Sequence, residues 1–151
     1  MNDTSLQSLA AIADVLSKAG YSASADDSAA FVELQHEGTN YPAVIQSQGK
    51  EFLISCQVCR IGDFGADQLA LVATNALAAN VQMLPYAFAI LKPEDSADEE
   101  AVADSPLVII NSVPIGDFSE EELLWSIRKL QIALATAVQG IKTAVTVSKI
   151  A

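Results

Sequence analysis

The chain holds few side chains that could carry acid–base or nucleophilic chemistry. His36 is the only histidine, and it stands beside Glu37 at the end of the first expected strand, just before a turn. A general base needs an oriented nucleophile or a substrate cleft nearby, and the sequence indicates neither. With one histidine, the chain has almost no residues from which to form a Ser-His-Asp or Cys-His arrangement. We therefore expect His36 to be an exposed loop residue and the protein not to be an enzyme.

The two cysteines, Cys56 and Cys59, form a lone C-x-x-C. A redox motif places this spacing at a helix N-terminus, and a zinc site needs a second pair of ligands. The run from Glu51 to Cys59 instead has the pattern of a strand, in which an odd separation points the two thiols to opposite faces of the sheet. We expect two ordinary buried or half-buried cysteines, with no metal and no cofactor.

Two further segments could bind ions, and each lacks part of the necessary pattern. The turn from Gly62 to Gly65 precedes a helix as a phosphate loop does, but it has no Lys, Ser or Thr, and Asp63 opposes an anion. The acidic loop from Pro93 to Pro106 has the carboxylates of a calcium site without the glycine of an EF-hand turn. We interpret the first as a tight strand-to-helix turn that Asp63 helps to cap. The second is interpreted as a solvated loop, with attraction of a basic peptide or shielding of the sheet edge as the alternatives.

Length, composition and charge limit the domain organisation, partners and localisation that we expect. A chain of 151 residues, 51% of them apolar, is long enough to bury a core, and we expect a single domain over residues 1–151. Nineteen acidic and eight basic residues give a net charge of -11, which disfavours nucleic acid and anionic membrane surfaces and is compatible with a partner that has a basic segment. No stretch reaches the ~20 apolar residues of a membrane span, and the N-terminus lacks the basic start of an export signal. We expect a cytoplasmic protein.

Hydrophobic periodicity predicts the element order α-β-β-β-α-β-β-α, an α+β protein with an antiparallel sheet of about five strands. A first helix is expected to begin at a capping box of Thr4 and Gln7 and to end at Gly20. A second helix is expected over about residues 66–80, and its only charge is Asp67. We expect a helix so apolar to be buried on more than one side, either in a central position against the sheet or at a subunit interface. The expected strands cover residues 31–35, 41–47, 51–60, 84–91 and 107–113.

The last element is the longest, a helix that begins at a second capping box, Ser119 with Glu122. A continuous apolar stripe runs along it, formed by Leu123, Ile127, Leu130, Leu134, Val138, Ile141 and Val145. Extended to Lys149, the helix is roughly 45 Å long at ~1.5 Å per residue, more than a sheet of this size covers. Gly140 and several β-branched residues weaken the later turns, so the end is expected to fray or to pack on a second chain. Because the end stays apolar, we favour the second chain and predict a homodimer.

The second half of the chain also carries a recurring local pattern. A strand ends in a basic residue and a glycine turn, Arg60-Ile61-Gly62, and an apolar helix from Leu69 then ends near Asn80. A strand from Leu84 to Leu91, another strand and a closing amphipathic helix complete the pattern. Together with the element order, it resembles the type III secretion chaperone-like fold, which bacterial secretion chaperones share with the YbjN-like family.

The resemblance implies a non-enzymatic, acidic and dimeric protein that serves as a chaperone, an adaptor or a regulator. Secretion chaperones hold an extended segment of their client along apolar surface patches, and by similarity the first helix and the strands could do so here. The long acidic loop and the high alanine content fit a YbjN-like regulator better than a dedicated secretion chaperone.

We therefore expect a protein-binding module that acts through an apolar patch rimmed with acidic residues. The predicted interface residues are Leu84, Tyr86 and Phe88 of the fourth strand and Leu123, Trp125 and Ile127 of the last helix. The alternative is a small-molecule-binding protein or enzyme that uses the Gly62–Gly65 turn or His36, and it predicts a concave pocket with convergent polar groups. A third interpretation is a structural subunit of a larger complex.

Overall fold

The computed structural model describes residues 6–91, 104–116 and 118–150. Within them lie three α-helices, namely α1 (Leu9–Lys18), α2 (Ala66–Ala79) and α3 (Glu120–Ile150). The strands are β1 (Ser22–Ala25), β2 (Ala30–His36), β3 (Thr39–Gln48), β4 (Glu51–Arg60), β5 (Ala87–Ile90) and β6 (Pro106–Pro114). They form one sheet in the order β1-β2-β3-β4-β6-β5, and β1 to β4 pair antiparallel in succession. The predicted α+β class with an antiparallel sheet is confirmed.

The chain divides into two compact units, each assembled from two separate stretches. The first unit comprises Met1–Cys56 and Ile110–Gln131, and the second comprises Gln57–Ile109 and Ile132–Ala151. β4, β6 and α3 each contribute residues to both units. The first unit therefore contains α1 and β1 to β3 whole, and the second contains α2 and β5 whole.

β1 is the strand that the sequence pattern did not indicate, so the sheet has six strands where about five were expected. Ser22–Ala25 consists only of serine and alanine, which do not favour strands over other structure. Its conformation depends on pairing with β2 along its whole length. The Asp26 carboxylate accepts hydrogen bonds from the amides of Ser28 and Ala29 at 2.7 and 2.9 Å, which holds the tight connection between the two strands.

β2, β3 and β4 are joined by two tight turns with left-handed backbone angles. Glu37 and Gly38 join β2 to β3 with φ of +50° and +80°, and a type I′ turn requires positive φ at both of these positions. Gly49 begins the next turn with a φ of +60°. Primed turns match the right-handed twist of paired strands, so the pairing continues to the turn itself. β2 and β3 are accordingly longer than the predicted 31–35 and 41–47.

The core of the first unit is built on alternation along its strands. Ala30, Val32 and Leu34 of β2 are buried, and the residues between them are exposed. Phe52 of β4 packs against Phe118, with the ring centroids 5.9 Å apart. The helices complete this core with Ile12 and Leu16 of α1 and with Leu123, Ile127 and Leu130 of α3.

α1 begins later than the sequence predicts. Its N-cap is Ser8, whose hydroxyl oxygen accepts a hydrogen bond from the Ala11 amide at 3.1 Å, and the helix starts at Leu9. A Thr4–Gln7 box is therefore not the cap of this helix, and Thr4 lies outside the described residues. The predicted end at Gly20 is correct, since this glycine has a φ of +98° just after the helix.

The second capping box is confirmed. The Ser119 hydroxyl oxygen accepts a hydrogen bond from the Glu122 amide at 3.2 Å, and Glu122 Oε2 accepts one from the Ser119 amide at 3.0 Å. From this start α3 runs for 31 residues and continues through Gly140. Ala144 is 2% exposed, so that turn is covered without a second chain.

β4 ends at Arg60, as predicted, and its last residues belong to the second unit. A short 3-10 turn, Ile61–Asp63, leads to α2, and α2 ends at Ala79. Asn80 Oδ1 then accepts a hydrogen bond from the Phe88 amide at 2.7 Å, which ties the end of the helix to β5. β5 begins only at Ala87, so the predicted strand over 84–91 is too long at its start: Leu84 and Pro85, joined by a cis peptide bond, precede it.

Removing the Ser119 cap is expected to destabilise the fold. Ser119→Ala deletes the acceptor for the Glu122 amide, and the free energy of unfolding should fall by about 1 kcal/mol. Ser119→Asp keeps a side-chain acceptor and should retain most of the wild-type value. Urea denaturation followed by far-UV circular dichroism measures both variants; equal midpoints for Ser119→Ala and wild type would contradict the role of the cap.

Candidate functional site

The two cysteines of β4 are thiols with depressed reactivity. Cys56 is fully buried in the first unit, and this desolvation raises the pKa of its thiol to about 12. Cys59 is half-buried in the second unit, where desolvation and, to a smaller degree, the charge of Asp63 raise the pKa of its thiol to about 11. A cysteine reacts as the thiolate, so both are poor nucleophiles near neutral pH. The expectation of ordinary buried or half-buried cysteines is confirmed.

His36 is the last residue of β2 and not a loop residue. Its side chain is half-buried rather than exposed, and its Nε2 lies 4.0 Å from Oε1 of Glu37. The expectation of an exposed loop histidine is therefore wrong, because the type I′ turn extends the strand to this position.

The Gly62–Gly65 turn is the tight strand-to-helix connection that the sequence predicts. Asp63 Oδ2 accepts a hydrogen bond from the Arg60 amide at 2.9 Å, and the Gly65 amide donates to Gln68 Oε1 at 3.3 Å. Asp67 adds a carboxylate in the first turn of α2. Two carboxylates therefore stand where the helix N-terminus would otherwise favour an anion.

Other ion sites and membrane insertion can be judged only for the described residues. In residues 6–91, 104–116 and 118–150, no three His, Cys, Asp or Glu side chains gather as metal ligands. The helices in these ranges include none that is both long and apolar enough to cross a bilayer. The predicted acidic loop at 93–106 lies outside the described residues except for its last three positions, and there Asp104 Oδ1 stands 3.9 Å from Arg60 Nη1.

The second unit exposes large apolar side chains along α2 and the segment after it. Leu77, Val81 and Leu84 are 70%, 73% and 65% exposed. Leu77 and Val81 are four residues apart, a spacing that places side chains on one side of a helical chain, and Leu84 follows the 3-10 turn that extends α2. We call these three residues the α2 stripe.

The α2 stripe lies in an uncharged part of a strongly acidic chain. No Asp, Glu, Lys, Arg or His occurs from Gln68 to Leu91. Within α2 only Val72 and Ala76 are fully buried. The predicted burial of this helix on more than one side is therefore not provided by the single chain, and the outer side of an almost uncharged helix faces solvent.

A shallow groove of about 590 Å³ runs beside α2 in the second unit. Its residues share one property, since they are small or carry neutral polar groups: Asn75, Ala78, Ala79, Gln82, Ala135, Thr136, Gln139, Gly140 and Thr143. We call it the amide groove. It contains no ionisable side chain, so it is a further uncharged surface of the second unit.

A separate apolar cleft lies in the first unit, at the start of α3. Val113 and Pro114 at the end of β6 form one wall, Phe118 contributes from the connection, and Glu122, Trp125 and Ser126 of α3 form the other wall. The cleft has a volume of about 170 Å³. We call it the Trp125 cleft.

Trp125 itself is half exposed, at 50% of its surface. The Nζ atom of Lys129 lies 5.4 Å from the centre of its ring system, within the range of a cation–π contact. Glu122 is held by its hydrogen bond with the Ser119 amide. The tryptophan therefore stands in a defined position with part of its apolar surface open to water.

The six predicted interface residues fall into two groups. Leu84 and Trp125 are exposed, and Phe88 is half-buried beside a void of about 10 Å³ that Val72 and Ile141 also line. Tyr86, Leu123 and Ile127 are fully buried and build the cores of their units. Side chains that are 0% exposed cannot reach a partner, so only the first group is available for contact in this conformation.

Sequence reasoning missed Leu77, Val81 and Ile132, which are 70%, 73% and 61% exposed in the second unit. They did not stand out in the sequence, since a helical period alone does not tell which apolar face is covered. For Leu77 and Val81, the absence of charge from Gln68 to Leu91 was the available signal. A surface helix normally carries charged residues on its outer side.

Comparison with solved structures finds several chains of similar fold. YbjN, a proposed transcription regulator from E. coli, shares 16% identity over 86% of this chain and 90% of its own, with a TM-score of 0.60. A chain of the heterodimeric ExoU–SpcU complex from the type III secretion system of Pseudomonas aeruginosa shares 16% identity over 85% of this chain and 96% of its own, with a TM-score of 0.55. A chain of the HopA1–SchA chaperone–effector complex shares 14% identity over 85% of this chain and 90% of its own, with a TM-score of 0.52. No protein-family model and no curated protein matches the sequence.

These likenesses confirm the resemblance noted in the sequence: the chain has a type III secretion chaperone-like, YbjN-like fold. Each match covers most of both chains, so the likeness extends over the fold and not over one motif. At identities of 14 to 16%, it establishes the fold alone.

The raised thiol pKa values predict slow alkylation of the native protein. At pH 8 the thiolate fraction of Cys59 should be roughly a hundredfold below that of an ordinary cysteine, and that of Cys56 roughly a thousandfold. Iodoacetamide labelling followed by mass spectrometry compares native protein with protein unfolded in urea. Labelling of native Cys56 at the unfolded rate would show that its burial is wrong.

Proposed function

We propose that this chain is a non-catalytic protein-binding module, a cytoplasmic chaperone-like protein, adaptor or regulator that works as a homodimer. The observation that carries the proposal is the α2 stripe, three large apolar side chains that are each at least 65% exposed in an uncharged stretch. A patch of this kind marks a protein-interaction surface more often than it is left in water. No metal, cofactor or nucleic acid has a part in this function.

A second copy of the chain is the proposed occupant of the α2 stripe, for an electrostatic reason. Each copy carries a net charge of -11, so two copies repel each other wherever their charged surfaces meet. The uncharged surface of the α2 stripe and the amide groove avoids this cost. Burying one exposed leucine there contributes up to about 2 kcal/mol before the entropy of association is subtracted.

The client-binding part of the proposal takes its support from the fold and from the second exposed surface. Two chains of similar fold occur in an ExoU–SpcU heterodimer and in a HopA1–SchA chaperone–effector complex, so this fold can bind another protein. In the present chain, Trp125 offers a half-exposed aromatic side chain, and tryptophan is among the residues that anchor protein interfaces most strongly. A YbjN-like regulator accords with this arrangement as well as a chaperone does.

The homodimer is tested by placing a charge in the stripe. Leu77→Glu puts two carboxylates into the proposed interface of each dimer, so we expect a monomer at concentrations where the wild type is dimeric. Because Leu77 is 70% exposed, the stability of the single chain should change by less than about 0.5 kcal/mol. Ala10→Glu adds the same charge at an exposed position of α1 in the first unit and is the matched control.

Light scattering after size exclusion measures the mass of all three proteins over a hundredfold range of concentration. The expected result is a dimer for wild type and Ala10→Glu and a monomer for Leu77→Glu. A wild-type protein that stays monomeric over the whole range, or a Leu77→Glu protein that stays dimeric, overturns this part of the proposal.

The client is sought by affinity capture from a lysate of the native host at moderate salt, with mass spectrometry of the bound proteins. We expect one protein in stoichiometric amount, and we expect Trp125→Ala to lose it while Leu77→Glu changes the mass of the complex. Recovery of this protein alone, as a clean dimer, would contradict the binding function. A metabolite screen by thermal shift would then decide the alternative, a small-molecule site.

A further inference from the structure

We propose that the Trp125 cleft is the seat for one aromatic or leucine side chain of a client segment that carries Lys or Arg beside that residue. The inference rests on the proposed function, because it names the chemistry of the client. It goes beyond that function in assigning a defined site and a partner composition.

The size of the cleft matches one large apolar side chain. Its volume of about 170 Å³ is close to the ~150 Å³ of an engineered apolar cavity that accepts benzene. Four of its six lining residues are apolar, and they are Val113, Pro114, Phe118 and Trp125. An apolar side chain that enters would cover part of the exposed indole surface, which contributes roughly 25 cal/mol for each Å² removed from water.

The polar part of the cleft decides the charge of the occupant. Glu122 lines the cleft and shares the first turn of α3 with the exposed Glu120 and Glu121. Three carboxylates at this end reverse the preference of a helix N-terminus for anions. Two cations lie near these groups: the ammonium of Lys129 is 5.4 Å from the centre of the Trp125 ring, and Lys18 interacts electrostatically with Glu120.

Charge complementarity therefore selects a cationic segment over an acidic one. The net charge of -11 makes the same selection at longer range and speeds encounter with basic segments. A second copy of this chain is disfavoured here for the same reason, since the copies would meet at their glutamates. The apolar cleft binds the aromatic or leucine side chain of the client, and the carboxylates beside the cleft favour Lys or Arg next to that residue.

Trp125 is the only tryptophan in the chain, so its fluorescence reports on the cleft directly. Wild-type protein is titrated at low ionic strength with three acetylated and amidated pentapeptides, Gly-Lys-Phe-Lys-Gly, Gly-Lys-Ala-Lys-Gly and Gly-Glu-Phe-Glu-Gly. We expect a saturable blue shift with the first peptide and at least a tenfold weaker affinity for the other two. Two variants are titrated in parallel, Glu122→Gln and Val113→Phe.

The variants separate the two parts of the site. The side-chain oxygen of glutamine can still accept a hydrogen bond from the Ser119 amide, so Glu122→Gln keeps the cap and removes one charge. The affinity for the Phe-Lys peptide should therefore fall three- to tenfold. Val113→Phe fills the cleft and should abolish the shift. Urea midpoints identify any variant that fails to fold, and Glu122→Gln decides the matter if Val113→Phe does not fold.

Three results overturn the inference. The first is that the Ala-Lys peptide binds as tightly as the Phe-Lys peptide, which would mean that charge attraction alone drives binding. The second is that acetylphenylalanine amide binds as tightly as the Phe-Lys peptide, which would mean that the cleft is a small-molecule site. The emission could also shift with protein concentration in the absence of peptide, which would place a second copy on the cleft. These titrations use purified protein and need no lysate. Failure to capture a client from a lysate therefore contradicts the proposed function, whereas the titration alone tests whether the cleft binds a cationic segment.

Discussion

Burial of the apolar stripe along α3 is the constraint on which both cores depend. Leu123, Ile127 and Leu130 fill the first unit, and Leu134 and Val138 fill the second. Each such side chain contributes about 1.5–3 kcal/mol when it is fully buried, so a helix of this composition is stable only where other elements cover it. The capping box at Ser119 sets where the helix begins.

The charge of the chain constrains the outside in a similar way. A net charge of -11 opposes contact between the charged surfaces of two copies and favours basic partners, and it makes the uncharged run from Gln68 to Leu91 conspicuous. The α2 stripe and the Trp125 cleft differ in this respect. The stripe has no charge within it, whereas the cleft includes a carboxylate. We infer different occupants for the two surfaces because uncharged surfaces suit self-association and an acidic rim suits a cationic segment.

The chemistry of the side chains points in the same direction as the surfaces. Burial holds the two thiols in their neutral form, and the turn between β4 and α2 carries carboxylates where a phosphate site needs a cation. Among the described residues, large apolar side chains are exposed at Leu77, Val81 and Leu84 in one unit and at Trp125 in the other. Binding through such surfaces depends on shape and desolvation and needs no reactive group.

The sequence by itself determined the elements that have strong periodic patterns or local caps. The Ser119–Glu122 box, the strand ending at Arg60 and the helix ending before Asn80 depend on neighbours in the chain, so they could be predicted. Tertiary structure decided β1, because serine and alanine become a strand only against β2, and it decided that Tyr86, Leu123 and Ile127 are core while Leu77, Val81 and Trp125 are exposed. An apolar pattern states that a face avoids water, but which partner covers that face is settled only when the elements pack.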